Sequence, residues 1–135
     1  MRKIDVIFQD FQIDTVPMEK VIFEEGKFCV YLDDVNEKRH KVVFSPYQAI
    51  KITAIDCMSA QEFYNEYCYR DGIYHRHILK IENSDWISEL NRNFKDADPR
   101  SNFMFKSNHY VLPLYEEIIE VVAWDIELIK VNNET

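Results

Sequence analysis

The sequence predicts an α+β fold: a mostly antiparallel β-sheet of about seven or eight strands with two α-helices packed on one face. Three observations carry that expectation. Strand signals dominate the first 57 residues, β-branched residues enrich the chain after residue 108, period-3.6 stripes mark two intervening segments, and short turns of the kind that join antiparallel strands separate the runs. At 135 residues the chain fits a single globular domain spanning residues 1–135. With 47% apolar and 14% aromatic residues it has ample core material, and two Gly and four Pro leave little room for flexible linkers.

The first strand is expected at about residues 3–13. Ile4, Val6 and Phe8 share one parity and Phe11 and Ile13 the other, so the strand must carry a bulge or serve two faces. After Pro17, Lys20–Phe23 and Lys27–Leu32 flank Glu24, Glu25 and Gly26, which predicts a hairpin. A polar turn from Asp33 to Arg39 leads into a strand at His40–Phe44, and a further strand, Ala49–Asp56, follows Ser45 and Pro46.

The period then changes. Ala60, Phe63, Tyr64, Tyr67 and Cys68 form a helical stripe, with Ser59 and Glu62 as a capping box and Gly72 as a stop, predicting a helix over 60–70. Ile73–Glu82 alternates as a strand, with His75, His77, Leu79 and Ile81 on one face. A second helix is expected after Ser84 or Asp85, with Trp86, Ile87, Leu90 and Phe94 as its stripe. Residues 95–108 read as the longest irregular stretch, although Phe103, Met104 and Phe105 need packing partners. The tail admits two readings: Glu116, Glu117, Glu120 and Glu127 could share one helix face opposite Ile118, Val122, Ile126 and Ile129, but its β-branched residues and Pro113 favour strands at about 109–115 and 118–131, joined near Glu116 and Glu117.

Charge narrows the function classes. Sixteen Lys and Arg against 24 Asp and Glu give −8, divided as −3 over residues 1–40, 0 over 41–108 and −5 over 109–135. That field repels phosphate backbones, and the largest basic cluster is Lys38, Arg39 and Lys41, so direct nucleic-acid binding is not expected. No apolar stretch reaches the ~18–20 residues that span a bilayer, and the opening residues, MRKIDVIFQDFQ, do not read as a signal peptide. Three widely spaced cysteines (Cys29, Cys57, Cys68) suit reduced thiols and a cytoplasmic location.

Motif chemistry is sparse. Gly26 and Gly72 are too far apart to form a phosphate loop, and G-x-S-x-G, H-E-x-x-H and C-x-x-C are all missing from the sequence. The pairs Glu24–Glu25, Asp33–Asp34 and Glu116–Glu117 read as solvated turns, and Asp96, Asp98 and Ser101 lack the Gly and Glu of a calcium loop. His75 and His77, at i and i+2, would place two imidazoles on one side of a strand, as some zinc sites do. His109, Cys68, Asp71 or Glu120 would have to supply the third ligand.

The leading expectation is a noncatalytic cytoplasmic protein-binding domain that engages a basic protein through Glu116, Glu117, Glu120, Trp124, Asp125 and Glu127. Tyr69 and Tyr74 fall off the apolar faces and suit the same purpose. In size and charge the chain resembles the small acidic immunity proteins with which bacteria neutralise toxin domains; the likeness lies in bulk properties and implies no residue roles. One alternative is a metal-dependent hydrolytic enzyme of zinc type, centred on His75, His77 and His109, with a water at an open position. Another is a structural homodimer that buries surplus apolar surface.

Overall fold

The structure is a computed structural model that describes residues 3–59, 62–63, 65–100 and 102–132. Its framework is one seven-stranded antiparallel sheet. The strands are β1 (Lys3–Val6), β2 (Lys20–Glu24), β3 (Lys27–Asp33), β4 (Arg39–Ala54), β7 (Leu79–Glu82), β8 (Asn108–Pro113) and β9 (Glu117–Lys130), in the spatial order β1-β7-β8-β9-β4-β3-β2. A separate two-stranded ribbon joins β5 (Tyr69–Arg70) to β6 (Ile73–Tyr74), and among the described residues there is one α-helix, α1 (Asp85–Ala97).

The parity change in the first segment has a definite cause. The chain leaves β1 and turns at Phe8, whose φ is +52°. Ile4 and Val6 therefore pack on one face of the sheet, with Leu79, Ile81, Val111 and Ile118, while Phe11 and Ile13 pack on the other, with Val30, Leu32, Val42, Phe44, Leu112 and Ile119. Ile13 bridges to both Asp34, just past β3, and Arg76, just before β7. These two segments flank opposite sides of the sheet, so the sheet curls around the larger core and Ile13 closes the gap.

The hairpin β2–β3 forms as expected around Glu25 and Gly26, whose φ values of +52° and +78° give the two positive torsions that a tight twisted hairpin turn requires. The two strands expected on either side of Pro46 are instead one, β4. Pairing of β3 with β4 ends at Phe28↔Phe44, so no neighbour on that side needs the N–H that Pro46 lacks. A bulge between Tyr47 and Ala49 lets β4 continue along β9 as far as Ala54↔Glu117.

The helix expected over 60–70 does not form. Residues 60, 61 and 64 lie outside the described residues; of the others, residues 62–63 turn, Glu66–Cys68 form a short 3-10 helix and Tyr69–Arg70 belong to β5, and a further 3-10 helix lies just upstream at Ile55–Cys57. Asn65 is extended, its carboxamide accepting from the Tyr67 backbone N–H at 2.8 Å and donating to the Ile4 carbonyl at 2.6 Å. Such side-chain bonds compete with helical ones. Phe63 and Cys68 are buried nonetheless, against Leu79 and Ile81. The strand expected over 73–82 is likewise split into β6 and β7. The remaining helix begins at its expected cap: the Ser84 hydroxyl accepts from the Ile87 N–H at 3.2 Å. Among the described residues no helix is long and apolar enough to cross a membrane.

Candidate functional site

The β8–β9 hairpin places the central group of side chains. Its turn pairs Leu114 with Glu117, and from that register His109 faces Val122 while Val111 faces Glu120. His109 and Glu120 are therefore diagonal neighbours on the face that also receives α1. The His109 Nε2–H donates to Glu120 Oε1 at 2.8 Å, and in the neutral ring, whose one proton is then on Nε2, the Ser84 hydroxyl donates to His109 Nδ1 at 2.7 Å. All three residues are buried. The Trp86 ring stands edge-on to the imidazole at 5.1 Å, and Lys51, directly across from Glu120 on β4, lies over the Trp86 ring at 4.6 Å and 3.9 Å from Glu120 Oε2.

This group forms part of the wall of an open cleft of about 440 Å³, whose other lining residues include Glu62, Asp85, Glu89 and Cys57. Four carboxylates thus face one ammonium. A second cleft, of about 450 Å³, shares Met58 and Ser59 with the first and is lined by Ile55, Phe63, Tyr69, Tyr74, Arg76 and Leu114. Its character is apolar and aromatic. Burial, helped by the neighbouring Cys68, pushes the Tyr74 phenol up to about 12, and burial also raises the Cys68 thiol. Neither group ionises at neutral pH.

The acidic residues expected to form one patch are dispersed. Glu116 and Glu117 adjoin the second cleft, with the Glu116 carbonyl accepting from the Ile55 N–H at 2.8 Å. Burial raises the Glu117 carboxyl, and a hydrogen bond with Glu19 and the charges of Glu19 and Glu116 raise it further. Glu120 is buried against His109, so it presents no exposed charge to a partner. Trp124 holds the 103–106 turn in place, its indole N–H donating to the Phe103 carbonyl at 3.2 Å and its ring lying beneath Lys106. Asp125 and Glu127 are exposed farther along β9, and at ~3.4 Å per residue Glu127 lies roughly 34 Å from Glu117. No single contact surface of ordinary size is centred on all six.

The three histidines of the metal expectation have other partners. His75 Nδ1 accepts from the Gln12 carboxamide at 2.9 Å, and His77 donates from Nδ1 to the Phe11 carbonyl at 2.9 Å while Nε2 accepts from Arg70 at 3.1 Å. Both nitrogens of His109 are engaged with Ser84 and Glu120. Among the described residues no three His, Cys, Asp or Glu side chains converge to hold a metal ion. Burial, with Arg70 and His75 nearby, lowers the His77 pKa despite its bond to Phe11, which favours the neutral ring.

Ser84, His109 and Glu120 lie 25 and 11 positions apart in sequence, and no local motif links them. The hairpin register was the missing signal, since a turn at Tyr115 and Glu116 places His109 and Glu120 on one face two positions apart. No family model, curated protein or solved structure matches the chain.

Proposed function

We propose that this chain is a protein-binding domain whose two adjoining clefts receive a basic segment of a partner, the acidic cleft taking a cationic side chain and the aromatic cleft an apolar one. The observation that carries this reading is the shared Met58–Ser59 wall, which sets the acidic cleft directly beside the aromatic one. Charge then steers the partner, and the desolvated aromatic contact supplies most of the affinity. Tyr69, at 53% exposed, and Ile55, at 39%, are surfaces that such a contact would cover. The likeness in size and charge to immunity proteins is consistent with this function.

Photo-crosslinking tests the proposal. A reactive side chain placed at Tyr69 or Glu89 should capture one basic protein in the native cell, and the same chemistry at Asp125 or Glu127 should not. With that protein purified, Tyr74→Ala and Glu89→Gln should each weaken binding by about 10- to 100-fold, which corresponds to ~1.4–2.7 kcal/mol. Capture only from the Asp125 and Glu127 positions would refute the assignment.

A further inference from the structure

The buried group at the start of α1 has the connectivity of a nucleophile, a base and an orienting acid. Its use goes beyond binding and departs from the noncatalytic expectation. With Glu120 accepting from Nε2–H, the free lone pair of His109 lies on Nδ1, and there it meets the Ser84 hydroxyl at 2.7 Å. The ring is held edge-on by Trp86, so neither tautomer nor orientation is left to solvent. Serine hydrolases use the same relay with the two ring nitrogens exchanged, and such constellations are recognised by geometry and roles rather than by sequence order. The first backbone N–H groups of a helix have no intrahelical acceptor, and the amides of Asp85 and Trp86 hold that place beside Ser84. A developing oxyanion is stabilised by donors of this kind. Ser84, His109 and Glu120 all line the 440 Å³ cleft, which lies within the range of ~300–1,000 Å³ that accepts small organic ligands.

We infer that Ser84 is an acyl-accepting nucleophile, with His109 as its base and Glu120 as the positioning carboxylate, acting on small neutral or cationic esters. Glu62, Asp85 and Glu89 in the same cleft disfavour anionic substrates. In the reaction, Ser84 Oγ forms a bond to the acyl carbon as its proton passes to His109 Nδ1. The bond from that carbon to the leaving oxygen then breaks, and the leaving oxygen takes the proton. Water attacks the acyl-serine and gives a proton to His109, which returns it to Ser84 Oγ as the acid departs. The sum is ester plus water to acid plus alcohol.

The test uses the unaltered chain, so it does not depend on a variant folding. Incubation with an alkyl fluorophosphonate, followed by peptide mapping, should place one adduct on Ser84 with loss of fluoride. 4-Nitrophenyl acetate should release an initial burst of about one equivalent of nitrophenolate, as an accumulating acyl-enzyme does. Glu120→Gln should slow both reactions by at least about a hundredfold, because its amide does not enforce the same ring tautomer. Ser84→Ala, checked for folding by circular dichroism, should abolish the adduct. Absence of an adduct from Ser84, or equal labelling in Glu120→Gln, would overturn the proposal and leave Ser84 as a helix cap alone.

Discussion

Replacing Glu120 by leucine tests how the His109 network holds α1 to the sheet. The His109 and Glu120 side chains are 4% and 5% exposed, so Glu120→Leu leaves the His109 Nε2–H in a place that water barely reaches. A buried donor stripped of its partner costs about 1–3 kcal/mol. The Lys51 ion pair adds little, because Lys51 is 51% exposed and its ammonium lies 3.9 Å away, and exposed pairs contribute under ~1 kcal/mol. Desolvating leucine in place of a carboxylate returns part of the loss, and the expected net cost is ~2 kcal/mol, or about 8 °C in Tm for a chain of this size. Adding His109→Leu removes the orphaned donor and should recover most of that cost, giving a coupling of at least about 1.5 kcal/mol between the two sites. Urea titrations of the two single variants and the double variant measure it, with an unchanged m-value showing that the unfolding reaction is the same. Additive costs, or a single-variant cost below ~0.5 kcal/mol, would refute a shared buried network.

Three further outcomes follow from local geometry. Gly26→Ala meets no atom within 4 Å, yet its φ of +78° should cost the protein about 1–2 kcal/mol in thermal unfolding through backbone strain alone. Glu117→Gln should stabilise the protein at pH 7 by roughly 0.5 kcal/mol: the folded-state pKa is raised above 4.5, so ionised Glu117 opposes folding and the gain vanishes as pH falls below that ordinary value. His77 has the opposite sense of acid linkage. Its folded pKa lies below 6.5, so the unfolded chain binds the proton first and stability should fall as pH drops from about 6.5 toward the folded value; His77→Asn should flatten that slope in a pH series of urea midpoints.

Much of the fold was legible because local patterns and tertiary demands agreed. The Glu25–Gly26 turn and the Ser84 cap each combine an alternating or helical stripe with a residue suited to the turn or cap, while the β-branched richness of the tail pointed to the strands of the β8–β9 hairpin. The parity change between Phe8 and Phe11 does mark two faces, but through a turn at Phe8 after β1 ends at Val6 and not through one bulged or two-sided strand over 3–13. Residues 60–70 misled because Phe63 and Cys68 are buried without a helix while Tyr67 is exposed, and Asn65 spends its side chain on tertiary and turn bonds. Pro46 misled because its effect depends on whether a neighbouring strand needs its N–H, which only the topology reveals. The clefts were less legible still. Glu120 looked like one more charge on an acidic tail, but its register opposite Lys51 and beside His109 buries it.

The most direct test of the binding account compares two charge reversals on the same partner. Glu89→Lys alters the acidic cleft at the start of α1, whereas Glu127→Lys alters an exposed position on the far part of β9. With the crosslinked partner purified, titration calorimetry should show Glu89→Lys weakening binding by at least about tenfold, or ~1.4 kcal/mol, while Glu127→Lys stays within about twofold of the unaltered chain. Unchanged affinity in Glu89→Lys together with a loss in Glu127→Lys would move the interface to the C-terminal strand and contradict the paired-cleft account.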